Sequence, residues 1–359
     1  MSTCIDRIEK RLKLHQCFWN RDDTKRPLVS FHIGDFFFSR HFNAARKLLE
    51  AGKKITPDML HVEAFIDDYE RMYKEILPIE QDGFWVAEPF TGIPWMEAML
   101  GCEIYATESS FISSPWLKNL DEIDKIQFNS ENKWFKKYME FLIQLEKISK
   151  GRFPIGQPIL RGPSDMAGAI MGQTELVYAL SDNPEKMKVL FGKLTDVFLN
   201  LISHQYEEIS EFYGGYSLGF YHVWAPERCI WYQEDLSVLL SPAYYCEFLK
   251  ECNEKICKNY KYTAMHIHPS SFFIIDELMK INNLKVIEVN KDIGGPSIEE
   301  MMPQFKKILK SKSLIIWGDL NFSDLKMILN ELPSKGLYLN IVTESAKRAK
   351  RLLQFMKDN

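Results

Sequence analysis

The sequence predicts an α/β protein folded as a single (β/α)8, or TIM, barrel. Three observations predict it. Eight short runs rich in β-branched and aromatic residues recur along the chain, and eight parallel strands are what a closed barrel of this kind requires. Helical segments with legible start signals separate the runs, as crossovers must if all strands are to point one way. No Gly/Ser linker, low-complexity tract or short repeat marks a domain boundary.

Taken in order, residues 1–25 form an amphipathic helical arm expected to pack outside a barrel spanning 26–359. The first two strands are expected at 28–33 (LVSFHI) and 83–88 (GFWVAE), and the third at 153–160 (FPIGQPIL). Between them, 34–82 and 89–152 hold more helix than one crossover needs and read as insertions. Asp182 and Asn183 precede Pro184, after which Met187, Leu190, Leu194, Val197, Phe198 and Leu201 recur at helical spacing. The fourth strand is expected at 216–223 (YSLGFYHV), followed by a helix started by Ser241-Pro242. Strands at 263–268 (TAMHIH), 284–290 (LKVIEVN), 313–318 (SLIIWG) and 337–342 (LYLNIV) complete the set. Ser297 with Glu300 forms a capping box after the sixth.

Composition narrows the function classes. The 359 residues are 46% hydrophobic and 26% charged, which excludes disordered, collagen-like and disulfide-scaffold proteins. A net charge of -4 argues against nucleic-acid binding as the main task, because that needs a surplus of Lys and Arg to displace counterions. No apolar run approaches the roughly 18 residues of a membrane span. The charged start MSTCIDRIEKRLKLHQ lacks a signal-peptide core, so a cytoplasmic protein with no membrane partner is expected. Seven scattered cysteines without a CxxC fit reduced thiols.

In such a barrel the site lies where strands end. Polar residues close nearly every run: His32, Asp35, Glu88, Arg161, Asp165, His222 and Trp224 in the first half. His266, His268, Asn290, Asp292, Asp319, Asn321, Thr343 and Glu344 close the second. His266-Ile267-His268 is the sharpest signal, because alternation along a strand points both imidazoles to one face. Two neutral imidazoles are half of a tetrahedral zinc site, and Glu344 is the candidate third ligand of a His2Glu set with an open position. HxH also occurs without metal, as hydrogen-bonded mouth residues. Glu88 and His222 are candidate proton-handling groups, equally able to serve as structural partners. Arg161 suits a carboxylate clamp, with Trp224 and Asp319 as further substrate-binding candidates. Asp165 is expected as a helix cap. Cys252 and Cys257 are expected simply to pack; Gly294-Gly295-Pro296 before the capping box could cradle an anion at a helix N-terminus but is more often a tight turn. Phe36, Phe37, Phe38, Trp85, Phe90, Trp95, Tyr221 and Trp224 would make an aromatic mouth, though core packing explains each singly.

Laid in order, these segments resemble the uroporphyrinogen decarboxylase superfamily, which includes the zinc-dependent methylcobalamin:coenzyme M-type methyltransferases. The resemblance runs from about 26 to 355. It rests on RPLVSF at 26–31, GIPWMEAMLGC at 92–102, GPSDMAGAIMG at 162–172 and QEDLSVLLSPAYYCEF at 233–248. HIHPSSFFIIDEL at 266–278 and VNKDIGGPSIEEMMP at 289–303 extend it. It implies a single (β/α)8 barrel with its pocket at the C-terminal mouth.

The chain departs from both branches of that family. The decarboxylases carry an arginine-rich motif after the first strand, where this chain reads FHIGDFFFSRHF with only Arg40. Their acid after the second strand corresponds to Glu88; their tyrosine falls near Gly168 and their late histidine near Thr343 or Glu344. The methyltransferases bind zinc through His-x-Cys and a late Cys, where this chain has His266-Ile267-His268 and, near the late position, Glu344. Histidine and carboxylate make a harder, less electron-rich site than thiolates. The expected function is a zinc-dependent, corrinoid-linked methyltransferase, served by a partner corrinoid protein at the aromatic mouth. Two alternatives stand beside it: a decarboxylase of uroporphyrinogen or a smaller aromatic acid, and a catalytically silent tetrapyrrole- or corrinoid-binding protein.

Overall fold

The computed structural model describes residues 2–359, with side chains from residue 6 onward. Six parallel strands form its central sheet, in the order Leu28–Ile33, Leu337–Thr343, Ser313–Gly318, Val286–Asn290, Tyr262–Ile267 and Cys229–Gln233. The first strand therefore lies beside the last, with Leu28 opposite Tyr338 and Ile33 opposite Thr343. Backbone contacts continue past both edges. Arg161 bridges Gln233, Gly156 bridges Ser217 and Ala87 bridges Ile155, all in parallel, while Asp82 and Gly83 donate their N–H groups to the Val29 carbonyl.

Five of the expected strands form close to where periodicity puts them. The runs 83–88 and 153–160 form only isolated bridges. Pro154 and Pro158 explain the second, because each removes a ladder donor.

The expected fourth strand is a correction. Residues 216–223 do not run straight: Tyr216–Leu218 pairs antiparallel with Val223–Ala225 as a short hairpin. The parallel strand at this place in the order is Cys229–Gln233 instead. Gly219 is the reason for the break. A Cβ there would sit 2.2 Å from the Gln157 carbonyl oxygen, so only glycine allows the chain to pass that close, and His222 then takes the left-handed conformation (φ 60°) that turns it back.

The hairpin tip packs onto one face of the sheet. Asn340 donates to the Tyr221 carbonyl at 2.8 Å, the Tyr338 hydroxyl donates to the His222 carbonyl at 3.1 Å, and His32 Nε2 lies 2.8 Å from the Phe220 carbonyl. Alternate strand residues such as Trp231, Ala264, Val286, Ile315 and Tyr338 share this face with the tip. Their neighbours Tyr232, Met265, Ile287, Ile316 and Leu339 bury the other face against the helices. Burial on both faces is what a parallel sheet requires.

The helix Pro184–Glu208 buries the six apolar positions expected of it, and Ser297 caps Ile298–Ile308 with Glu300 in the box. The insertions contain the helices Ile66–Ile76 and Lys133–Ser149. They also hold a small antiparallel sheet of Lys54–Ile55, Glu103–Ala106 and Phe111–Ser114. The N-terminal helix Ser2–Asn20 lies closer in than an outer arm: Phe18 and Trp19 are buried in the same cluster as the strand starts Leu28 and Tyr262. Among the described residues no helix is long and apolar enough to cross a membrane. Cys17, Cys102, Cys229, Cys246, Cys252 and Cys257 are free thiols, and the Cys4 side chain lies outside the described part.

Candidate metal centre

His266 and His268 stand at the end of the Tyr262–Ile267 strand. His268 keeps an extended backbone (φ -86°, ψ 157°), so the alternation continues and both imidazoles share a face while Ile267 is buried in the helix-side core. In the ladder His266 lies opposite Gln233 on one side and Glu288 on the other. Asp235, two residues past Gln233, consequently reaches the same place. One donor atom each from Asp235, His266 and His268 falls within 4.8 Å of the others. Asp235 Oδ1 is 3.4 Å from His266 Nε2 and 3.8 Å from His268 Nε2.

The far nitrogens of both rings are taken. His266 Nδ1 contacts the buried Glu288 carboxylate, which also accepts from the Tyr221 hydroxyl at 2.7 Å. His268 Nδ1 lies 2.8 Å from Asp292 Oδ1, and Asn290 donates to that oxygen at 3.1 Å. A carboxylate on Nδ1 fixes the tautomer that leaves Nε2 with a lone pair, the arrangement that supports imidazole ligation of a metal. The two inward atoms His266 Nε2 and Asp235 Oδ1 are buried with no hydrogen-bond partner. Such orphans call for an occupant. Two imidazoles and one carboxylate form a nitrogen–oxygen donor set that suits zinc and leaves a fourth position open.

The electrostatics agree with a cation there. Burial pushes His266 toward the neutral form, yet Glu288, Asp235 and Asp165 outweigh it and hold the imidazole up at about 9, so that without a metal Nε2 carries a proton, which a metal ion would displace to reach the lone pair. Burial and the nearby Asp235 charge push Asp165 up to about 7, against the pull of Arg161 and the Leu236 N–H. Burial, then the charge of Asp165, raise Glu234 well above the usual carboxylate range despite its bond from Ser164. Negative charge is thus in excess around the two imidazoles. A cleft of about 460 Å³ adjoins Asp235, with Arg161 and Asp165 in its wall.

Arg161 is pinned at 2.8 Å by the fully buried Glu97, whose charge raises it further. Its side chain remains 42% exposed, so part of the guanidinium still faces the cleft. Asp165 does not cap its helix: it accepts from the Leu236 N–H at 2.7 Å, while Gly162 is the cap residue and Pro163 begins the helix.

The remaining expected site residues lie elsewhere. Glu344 is not in the metal group; it is exposed and paired with Arg348 four residues on, at 3.0 Å. Arg348 also takes Asp319, at 3.3 Å. Trp224 is no mouth residue. It is buried against Phe84 and Phe212, donates its indole N–H to the Phe212 carbonyl, and accepts from Trp19 of the N-terminal helix. Phe90 and Trp95 are likewise core.

Glu88 and His222 do come together, in a separate cavity of about 70 Å³ shared with His32. His32 and His222 stack with ring centres 4.5 Å apart. Burial pushes His32 down to about 4 and His222 well below its ordinary value, and raises Glu88 to about 8 against its bond from Thr91. All three groups are therefore held neutral.

Sequence reasoning missed Asp235, Glu288 and Glu97. Asp235 was lost with its strand, whose CIWYQ run at 229–233 carried the needed signal. Glu288 had a signal too: a lone carboxylate inside the apolar run VIEVN.

No family model matches this chain, and no curated protein does. Among solved structures it is similar to a methyltransferase from Methanosarcina mazei, at a TM-score of 0.63 and 12% identity, over 97% of this chain and 98% of that one. At that identity the likeness shows a shared α/β fold, and nearly the whole of each chain takes part in it.

Proposed function

We propose that the protein is a zinc-dependent methyltransferase of the corrinoid-linked kind, built on a (β/α)8 barrel, with the metal held by His266, His268 and Asp235. The observation that carries this reading is the pair of imidazoles backed by Glu288 and Asp292, with the unpartnered Nε2 and Oδ1 atoms turned to one point. Zinc held there would act as a Lewis acid, lowering the pKa of a thiol or water at its open position. Glu288 and Asp292 keep the imidazole lone pairs aimed. Arg161, anchored by Glu97, would orient a polar group of the substrate in the adjoining cleft. A corrinoid protein would present its cobalt at that cleft. The shared fold with a methyltransferase is consistent with this assignment but supplies only the scaffold.

Metal content of protein purified without added metal, then after zinc is supplied, tests the site; methyl transfer between cobalamin and a panel of donors and thiols tests the reaction. About one zinc per chain is expected, with turnover lost in Asp235→Ala. Iron in place of zinc, or no metal after reconstitution, would overturn the mechanism. Corrinoid bound tightly without turnover would point to the silent carrier.

One observation favours a second reading. Glu88, held up at about 8 with Oε2 buried and unpartnered beside His222, is a carboxylic acid able to donate a proton near neutral pH. That suits protonation of a decarboxylated carbon. The cavity of about 70 Å³ is far too small for a tetrapyrrole, so the substrate would be a small aromatic acid. Carbon dioxide release from such acids, lost in Glu88→Gln while metal is retained, would move the chemistry to this cavity.

A further inference from the structure

A cleft of about 390 Å³ lies between the N-terminal helix and the segments that lead into the first strands, away from the strand ends where His266 and His268 stand. Its lining concentrates positive charge in a chain whose net charge is -4. Six cations, Arg7, Lys10, Arg11, Arg26, Arg152 and Lys357, face only Glu80 and Asp82 within it.

Those two acids are already engaged. Arg26 holds Asp82 at 2.7 Å, while Arg7 and Lys357 both draw on Glu80. Arg152 takes Glu70 from outside the lining. Arg11 has no carboxylate directly on it: its guanidinium donates to the Asp82 and Gly83 carbonyls and lies over the Phe84 ring, 3.9 Å from the centroid. Even with Glu70 included, six cations stand against three acids.

Cations gathered along a concave surface focus their field there and raise the local concentration of anions. Arg7 and Lys357 share the single carboxylate of Glu80, and Arg11 has only carbonyls, so positive charge remains in excess along the cleft. The walls are also apolar. Ile8, Leu14 and Ile79 line it, and Leu77 and Tyr213 stand at it 57% and 52% exposed. Arg152 lies over the Tyr73 ring, which leaves a planar cation–aromatic surface on one side.

We infer that this cleft binds a small organic anion: a phosphate, sulfonate or carboxylate head met by Arg7, Lys10 and Lys357, with an aromatic or apolar body laid against Leu77 and Tyr213. The site is independent of the metal centre and of the reaction assigned to it. Because its walls come from both the N-terminal helix and the body it covers, the bound anion ties the two together and stabilises the folded protein by mass action.

Isothermal titration with 1-naphthyl phosphate at low ionic strength tests it, with inorganic phosphate and 1-naphthol as the two halves of the ligand. One site per chain is expected for the ester, weakened at least tenfold in Arg7→Glu/Lys10→Glu and by added salt, and unchanged in His268→Ala. The ester is also expected to raise Tm in the wild type and not in the double variant. Since Arg7 helps fasten the helix, Lys357→Gln on the opposite wall provides a second variant, which removes a cation outside the helix without setting a second acid beside Glu80, with weakening in the same direction expected. Absence of saturable binding, wild-type affinity in both variants, or equal affinity for naphthol and its phosphate would each overturn the inference. Inorganic phosphate binding as tightly as the ester would overturn the apolar half of it.

Discussion

Two pairs of imidazoles stand on either side of the same hairpin tip, and one member of each, His32 and His266, is driven in the opposite direction to the other. His32 and His222 stack face to face, with ring centres 4.5 Å apart at 27°. His266 and His268 meet edge on, 4.8 Å apart at 89°. His32 is half-buried and His266 buried, yet the first is pushed down to about 4, chiefly by loss of water around it, and the second is held up at about 9. The difference is the company each keeps. His32 has a backbone carbonyl; His266 has Glu288 on one nitrogen and Asp235 near the other. Burial alone makes an imidazole neutral, whereas burial with carboxylates makes a place for a cation.

The largest expected effect is on metal content. His266→Ala/His268→Ala should abolish it, and His32→Ala/His222→Ala should leave it intact; metal analysis of the two double variants side by side would break the comparison if both lost it. Next in size is Glu288→Gln. It keeps the shape but removes the charge behind His266, and titration against a metal indicator should show affinity falling about 10- to 100-fold. Asp292→Asn, behind the more exposed His268, should cost less.

Acid stability sharpens the carbonyl-bonded side. His15 is wholly buried and, like His32, held down at about 4, first by burial and then by Arg11. An unfolded chain protonates such a histidine near 6.5 and the folded one only near 4, so stability is lost as pH falls through that window. Urea unfolding between pH 7 and pH 5 should show a loss on the order of 2 kcal/mol from His15, smaller in His15→Gln. A slope identical in the variant would mean that the imidazole is not held neutral.

The smallest effect is expected at the original third-ligand candidate. Glu344→Ala should leave metal content unchanged, since its partner is Arg348, whereas Asp235→Ala should lower it. Loss of metal in the first and not the second would restore Glu344 as the ligand.

Much of this molecule follows from local pattern. Apolar runs at period two and helix starts such as Asn183-Pro184 and Ser297-x-x-Glu300 act over a few residues, so the alternation of strand and helix could be read before any contact was known. Strand alternation likewise put His266 and His268 on one face. It failed where a glycine let the chain fold back, at 216–225, and where prolines thinned a strand into bridges, at 153–160. Only tertiary structure decided the rest. Which acid joins the two histidines depends on which strand lies beside theirs, and Asp235 and Glu288 reach them from neighbours 31 and 22 residues distant in sequence by position number. The charge of His266 follows from the same adjacency, because a carboxylate acts over a few ångströms of space, whatever the length of chain between.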